Sequence, residues 1–209
     1  MTEFNATRPR IAVVSVHYYA RYLERRLRDL HKVCAGLKPD TCVVVANNPV
    51  LMPRLQKSMS DSPHIKAVRL HDNTGMEFGA YQAGIDYVLA NGEPDWIVIL
   101  NDTFAIHQCF STPLRRNFVR HIAATRDLDT PIIVGQVESI PRSYRLQGFR
   151  THRWVTTNVF GLNRAALRAL QYKVYSPDID GLISTSARIE NFFSSEVDPV
   201  LKQHLANWL

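Results

Sequence analysis

Short apolar runs alternate with longer amphipathic stretches along this chain. Ile11-Ala-Val-Val-Ser-Val16 is short and β-branched, the pattern of a buried strand. From Tyr22 to Leu37, residues Leu23, Leu27, Leu30, Val33 and Leu37 recur on one face at helical spacing. Thr41–Ala46 predicts a second strand, stopped by the turn residues Asn47-Asn48-Pro49. A weak helix over Met52–Met59 and a shorter, partly polar strand over Ile65–Leu70 follow. Glu77–Leu89 predicts a helix that packs through Ala80, Ala83, Gly84, Tyr87 and Val88, and Trp96–Leu100 predicts the most apolar strand of all. Beyond it the spacing predicts a helix over Asn117–Thr125, a fifth strand over Pro131–Gln136 and a helix over Arg164–Tyr172. Ser176–Val197 is polar and weakly patterned. Pro199–Leu209 reads as an amphipathic helix without a capping residue at its end, hence a docked terminus or a cut in a longer chain.

Strands alternating with helices imply an α/β fold, a mostly parallel sheet with helices on both faces. The 209 residues suit one domain. Residues 11–105 form its regular half. Residues 106–209 form a less regular half, in which Arg142, Arg145, Arg150 and Arg153 surround Gly148 in a segment expected to be a flexible loop, placed either to clamp a diphosphate or to face membrane lipid.

Composition changes this picture little. Hydrophobic residues at 45% and charged residues at 21% allow an ordinary core. The net charge of +6 favours anionic partners without choosing among nucleotides, diphosphates and lipid headgroups. Nucleic acid is not expected: the arginines are spread along the chain, and no zinc-finger, basic-zipper or RNA-recognition spacing is present. The densest basic group, Arg21, Arg25, Arg26 and Arg28, is interleaved with Glu24 and Asp29 and reads as a solvated helix face. Cys34, Cys42 and Cys109 have no paired spacing, so a reducing, cytoplasmic compartment is expected. Met1–Arg10 has no apolar signal core, and no run of about 18 apolar residues exists. Peripheral contact with the inner face of a membrane through basic residues stays open.

In an open parallel sheet, ligands bind beyond the carboxyl ends of the strands. Polar residues follow all four early strands: Ser15, His17 and Tyr18; Asn47 and Asn48; Asp72, Asn73, Gly75 and Glu77; Asn101, Asp102 and Thr103. Turns alone also demand such residues, but their recurrence at one edge marks a site. Asp102, after the most apolar strand, is placed either to meet a magnesium or manganese ion bridging phosphates or to cap a turn. Gly79 and Gly84 fall in a helix, where glycine costs about 1 kcal/mol relative to alanine, which suggests a close approach by a ligand or a strand. The segment is neither a P-loop nor the dinucleotide fingerprint.

In this order the pieces resemble the nucleotide-sugar-binding core of GT-A glycosyltransferases, near family 2 and the rhamnosyltransferase and rhamnan-synthesis-type proteins of bacterial polysaccharide assembly. The resemblance spans Ile11 to Leu170 and rests on Ile11–Tyr18, Val43–Pro49, Asn73-x-Gly75 through Gly84, Trp96–Thr103 and Thr156–Arg164. It implies a sugar transfer, inverting by family likeness, from a nucleoside diphosphate donor to a glycan or lipid-linked acceptor. By the same likeness Val16, His17, Tyr18, Asn47, Asn73, Gly75 and Asn101 bind the donor. Asp102 holds a divalent metal, Mg or Mn, while Trp154 and Asn158 lie on the acceptor side. Glu190, ahead of an aromatic pair, is the candidate base among the late acids Asp178, Asp180, Glu190, Glu196 and Asp198. The chain departs from the family in carrying Asn47 where Asp is usual, a single aspartate at the metal position, and no late Glu-Asp pair. Two other readings stay open: a non-catalytic, degenerate module that binds a nucleotide or a protein partner, and a nucleotidyltransferase.

Overall fold

The computed structural model describes residues 8–104, 106, 111–125, 128–146, 149–177 and 197–206. The elements run β1 (Ile11–His17), α1 (Leu23–Leu37), β2 (Thr41–Ala46), α2 (Met52–Ser60), β3 (Ile65–Leu70), α3 (Met76–Ala90), β4 (Trp96–Asn101), α4 (Thr112–Ala124), β5 (Ile133–Leu146), β6 (Phe149–Asn163), α5 (Arg164–Ala169) and α6 (Pro199–Ala206). The six described strands form one sheet in the order β3-β2-β1-β4-β6-β5. The first four are mutually parallel, whereas β6 is antiparallel to both β4 and β5.

β1, β2 and β4 are continuous apolar runs because both of their faces are covered. Ile11 and Val13 of β1, with Trp96, Val98 and Leu100 of β4, join Leu23, Leu27, Leu30, Val33 and Leu37 of α1 and Phe118 and Ile122 of α4 in one core. Ala12, Val14 and Val16, with Ile97 and Ile99, join Ala80, Tyr81, Ile85 and Val88 of α3 and Leu167 of α5 in the other. Alternate residues of one strand thus feed two separate layers. A Cβ on Gly84 would collide with the Val14 side chain, so this glycine answers to a strand and lets α3 lie close on β1. Cys34 and Cys42 are buried free thiols.

Three expectations change. Arg26 of α1 is fully buried and does not belong to a solvated face. The fifth strand is longer than the Pro131–Gln136 run and antiparallel, continuing to Leu146. Arg142, Arg145, Arg150 and Arg153 lie on paired strands rather than in a flexible loop. Before Val159 those strands show no clean alternation in the sequence because their buried positions, Ile140, Tyr144 and Thr156, are few and set among exposed or half-buried residues. β6 meets β4 only from Val159 to Asn163, and residues 149–158 run on past the end of β4. α6 packs along β5. Among the described residues no helix is long and apolar enough to cross a membrane.

Candidate functional site

The parallel strands all end at one edge, and their terminal residues are wired to one another. β1 ends at His17, whose ring is buried and lies with Nε2 2.9 Å from Ser15 Oγ. Burial first, and the Arg26 charge second, lower the His17 pKa from 6.5 to about 4, so the ring is neutral at pH 7. Val16 is equally buried, in the core beneath α3. Of Val16, His17 and Tyr18, all expected at the donor, only Tyr18 shows a broad surface, at 43% exposure. It meets Tyr19 edge-on, and the Arg21 guanidinium lies 4.6 Å from the Tyr22 ring centre.

Asn47, beyond β2, is also buried. Its Nδ2 donates to the Met76 carbonyl at 2.9 Å and its Oδ1 lies 3.0 Å from His71 Nδ1. Both ends of this amide therefore serve the loop between β3 and α3. That loop explains why the position carries Asn: a carboxylate could not donate to Met76 O. Asn73, Gly75 and Met76 all take left-handed backbone angles, with φ of 67°, 65° and 52°. A Cβ on Gly75 would strike the Tyr175 ring, and one on Gly79 would strike the Thr74 carbonyl, so both glycines serve the compactness of this loop.

Asp102 follows β4 and is buried. Its Oδ2 accepts from the backbone N–H of Tyr18 at 2.8 Å and of Tyr19 at 2.6 Å, tying the chain after β1 to the end of β4. Burial raises its pKa; the two amides and the Arg26 charge oppose that rise without cancelling it. Arg26 reaches under the same turn. Its Nη1 donates to the Phe104 carbonyl at 2.6 Å and pairs with Asp29 at 3.0 Å. Its Nε and Nη2, like His17 Nδ1, meet no partner among the described residues.

A second knot joins three elements. Asn101 Nδ2 donates to Glu77 Oε2 at 3.0 Å and to Asn158 Oδ1 at 3.3 Å. Thr103 Oγ1 donates to Asn101 Oδ1 at 2.9 Å, and Thr157 Oγ1 donates to Glu77 Oε1 at 3.3 Å. Tyr81 OH donates to the Thr157 carbonyl at 2.9 Å. Asn101 and Asn158, assigned by resemblance to opposite substrates, are direct neighbours. Glu77 sits at the centre of the knot and was only one of several strand-end polar residues in the sequence. The signal that marked it was an acid in the first turn of a helix opening with Gly75, where the helix dipole favours negative charge. Burial raises its pKa above the ordinary 4.5, and the Asp102 charge adds to the rise, against hydrogen bonds from Asn101 and Thr157.

Other candidates lie elsewhere. Trp154 is half-buried on β6 opposite Glu138, four residues and roughly 13 Å along the strand from Asn158. Asp198 accepts from the Arg145 N–H at 2.9 Å and from the Val200 N–H at 2.8 Å, and so caps α6. Glu190, Asp178, Asp180, Glu196 and Cys109 lie outside the described residues. Among the described residues no group of three or more His, Cys, Asp or Glu side chains gathers as a metal cage. Glu77 and Asp102 nonetheless fit what Mg or Mn asks of a protein, one or two carboxylates, when phosphate and water complete the shell.

No family model and no curated protein sequence matches this chain. Solved structures do. A 4-diphosphocytidyl-2C-methyl-D-erythritol synthase from Anaerococcus prevotii is 10% identical, with a TM-score of 0.52 over 81% of this chain and 80% of that one. The mannosyltransferase PcManGT from Pyrobaculum calidifontis, in complex with GDP-Man and Mn2+, is 15% identical, with a TM-score of 0.51 over 79% of this chain and 47% of that one. TarS 1–349 from S. aureus is 12% identical, with a TM-score of 0.50 over 84% of this chain and 52% of that one. The chain therefore spans about half the length of the latter two. At such identities the likeness is one of fold: a GT-A-like, Rossmann-like α/β sheet, as the order of strands and helices implied.

Proposed function

We propose that this protein is a glycosyltransferase that moves a sugar from a nucleoside diphosphate donor to a glycan or lipid-linked acceptor. The observation that carries this reading is the knot of Glu77, Asn101, Thr157 and Asn158 beside Asp102. It brings two carboxylates and several hydrogen-bonding groups to the edge where ligands of such sheets bind. A fold shared with a mannosyltransferase described with GDP-Man and Mn2+ supports the class.

Tyr18 offers a ring face to the base. Asn73 and Gly75 frame the ribose and diphosphate. Asn47 acts by holding that loop through Met76 and His71, and Val16 and His17 act as the floor beneath it. Asp102 and Glu77 would hold a divalent ion, Glu77 standing in for the second acid that the sequence after β4 lacks. Such an ion, when bound, offsets the charge that develops on the departing diphosphate. Asn158 and Trp154 face the acceptor, and Glu190 is the base that activates its hydroxyl. The finer assignment is hexosyl or rhamnosyl transfer, with inversion, in polysaccharide assembly on the cytoplasmic side of a membrane.

The test is calorimetry of uridine, thymidine and guanosine diphosphates with and without Mn2+, then product analysis with the matching nucleotide sugars. Metal-dependent binding of one nucleotide is expected, and Asp102→Ala should lower turnover by about 100-fold or more. Absence of binding to all three with Mn2+ present would sink the donor site, and unchanged turnover with a chelator would sink the metal.

A second reading has its own observation. Asn47 and Asp102 Oδ2 are both committed to the protein's backbone or to a neighbouring side chain, as in a sheet edge closed for structure. A non-catalytic module would bind a nucleotide or a partner and give no product in the same assay.

A further inference from the structure

One ring nitrogen in the loop between β3 and α3 faces two partners with opposite needs. The Asn73 N–H donates to His71 Nδ1 at 3.2 Å, which requires a bare lone pair there. Asn47 Oδ1 lies 3.0 Å from the same atom. The Asn47 amide is not free to turn its nitrogen to the ring instead, because its Nδ2 donates to the Met76 carbonyl at 2.9 Å. Asn47 therefore needs a proton on Nδ1. A ring nitrogen holds either a lone pair or a proton, so only one of the two partners is met at a time.

The position of the proton thus selects the partner. With the proton on Nε2 alone, Nδ1 holds the Asn73 amide, and two acceptors, Nδ1 and Asn47 Oδ1, face each other. With a proton on Nδ1, the Asn47 contact becomes a hydrogen bond and the Asn73 N–H loses its acceptor. A doubly protonated ring gains a further contact, since Nε2 lies 3.8 Å from Asp72 Oδ1 and that pair becomes ionic. Asp72 is exposed and also accepts from the Thr74 N–H at 3.0 Å. Other titratable groups of the surrounding elements are engaged elsewhere. Glu77 of α3 is turned to Asn101 and Thr157, Arg69 of β3 lies over the Tyr87 ring, and Tyr175 lies on Gly75. The His71 side chain is 17% exposed, so solvent protons reach it.

The loop itself survives the exchange. Asn73 has a φ of 67°, and its carbonyl accepts from the Met76 N–H at 2.9 Å. His71 N–H donates to the Ala46 carbonyl at 2.9 Å. Those ties stay in place while the Asn73 N–H changes partner. A released N–H beside a cationic ring is a donor for an anionic oxygen.

We propose that His71 is the positioning residue of this loop. It holds the Asn73 amide while Nδ1 is bare and releases it to the phosphate oxygens of a nucleoside diphosphate when Nδ1 gains a proton. The ligand rests on the donor-site reading, whereas the exchange of partners at Nδ1 does not.

The experiment is an NMR titration of the nitrogen-labelled full chain from about pH 8 to about pH 5, the span in which histidine changes charge. At the upper end the His71 ring should show a bare Nδ1 and a protonated Nε2. As pH falls, the Asn73 amide signal should shift with the same midpoint as the ring nitrogens. This arm needs no variant. Inorganic diphosphate is then titrated by calorimetry, without metal, into the wild type and into His71→Gln, whose fold is checked by circular dichroism. Over the same span the wild type should gain about tenfold in affinity relative to the variant, the worth of one charge-assisted hydrogen bond. The proposal is overturned if Nδ1 is protonated throughout, if the Asn73 amide ignores the ring, or if diphosphate binds both chains with the same pH dependence. Should diphosphate bind neither chain while the amide follows the ring, the donor reading fails and the positioning role of His71 stands.

Discussion

The parallel half of the sheet and the antiparallel ribbon solve opposite problems. β1 and β4 are buried along their whole length, and the polar groups at their ends had to find partners inside the protein. They found one another: Asp102 with the Tyr18 and Tyr19 amides, Asn47 with Met76 and His71, Asn101 with Glu77 and Asn158. The ribbon leaves that shelter just after supplying Thr157 and Asn158 to the knot. Beyond them its arginines stay exposed. A closed polar network is held in shape by its own hydrogen bonds, whereas exposed charge stays open to the solvent and to whatever meets the surface.

The comparison breaks most visibly at Gly84. Gly84→Val forces a branched side chain onto Val14 and should cost about 3 kcal/mol in urea denaturation. A loss below about 1 kcal/mol would mean that α3 stands further from β1 than described. The buried ring of His17 offers a second test, read through pH. Its folded pKa lies below its unfolded value, so between pH 6.5 and about 4 the unfolded chain binds the extra proton. Stability contributed by the neutral ring is thus present above 6.5 and lost as pH falls toward 4. Between pH 7 and 5 the loss should be about 2 kcal/mol relative to His17→Gln. Glu77 and Asp102 are shifted upward and act in the opposite sense, adding stability as pH falls through their raised values, which is why the variant is the reference. A wild-type slope equal to that of His17→Gln would place the ring in solvent.

A smaller effect is expected at Asn47. Asn47→Asp installs the acid usual in the family that the chain resembles, yet removes the donor to Met76 O. A loss of about 1–2 kcal/mol is expected, with no gain in nucleotide affinity. Tighter uridine diphosphate binding by this variant would show that the amide serves the base directly. The smallest effect belongs to the ribbon. Arg145→Ser should leave stability within about 0.5 kcal/mol, or raise it by a few tenths as the like-charge rung is relieved. A large loss would mean that the ribbon arginines are structural after all.

Much of the fold was legible because burial writes itself into local periodicity. The runs Ile11–Val16, Thr41–Ala46 and Trp96–Leu100 are strands because both of their faces are covered, and the one-sided spacing of Leu23 to Leu37 marks the buried face of α1. The ribbon reads as a loop in the sequence because its buried positions, Ile140 and Tyr144, are few and set among exposed polar residues, so its strands leave no clean alternation. Arg26 was misread for a related reason. A charge on a mixed helix face looks solvated until Phe104, 78 residues away in sequence, is known to close over it.

The sequence by itself determined the elements of the parallel half, their order, and that polar residues gather at the ends of the parallel strands. The tertiary structure alone decided what those residues do there. Glu77, Asn101, Thr157 and Asn158 meet across gaps of 24 to 80 residues, and Asp102 holds amides 83 and 84 residues before it. Hydrogen bonds need contact within about 3 Å. Which strand ends come that close depends on strand order and on the antiparallel insertion of β6 beside β4, and no local pattern records either.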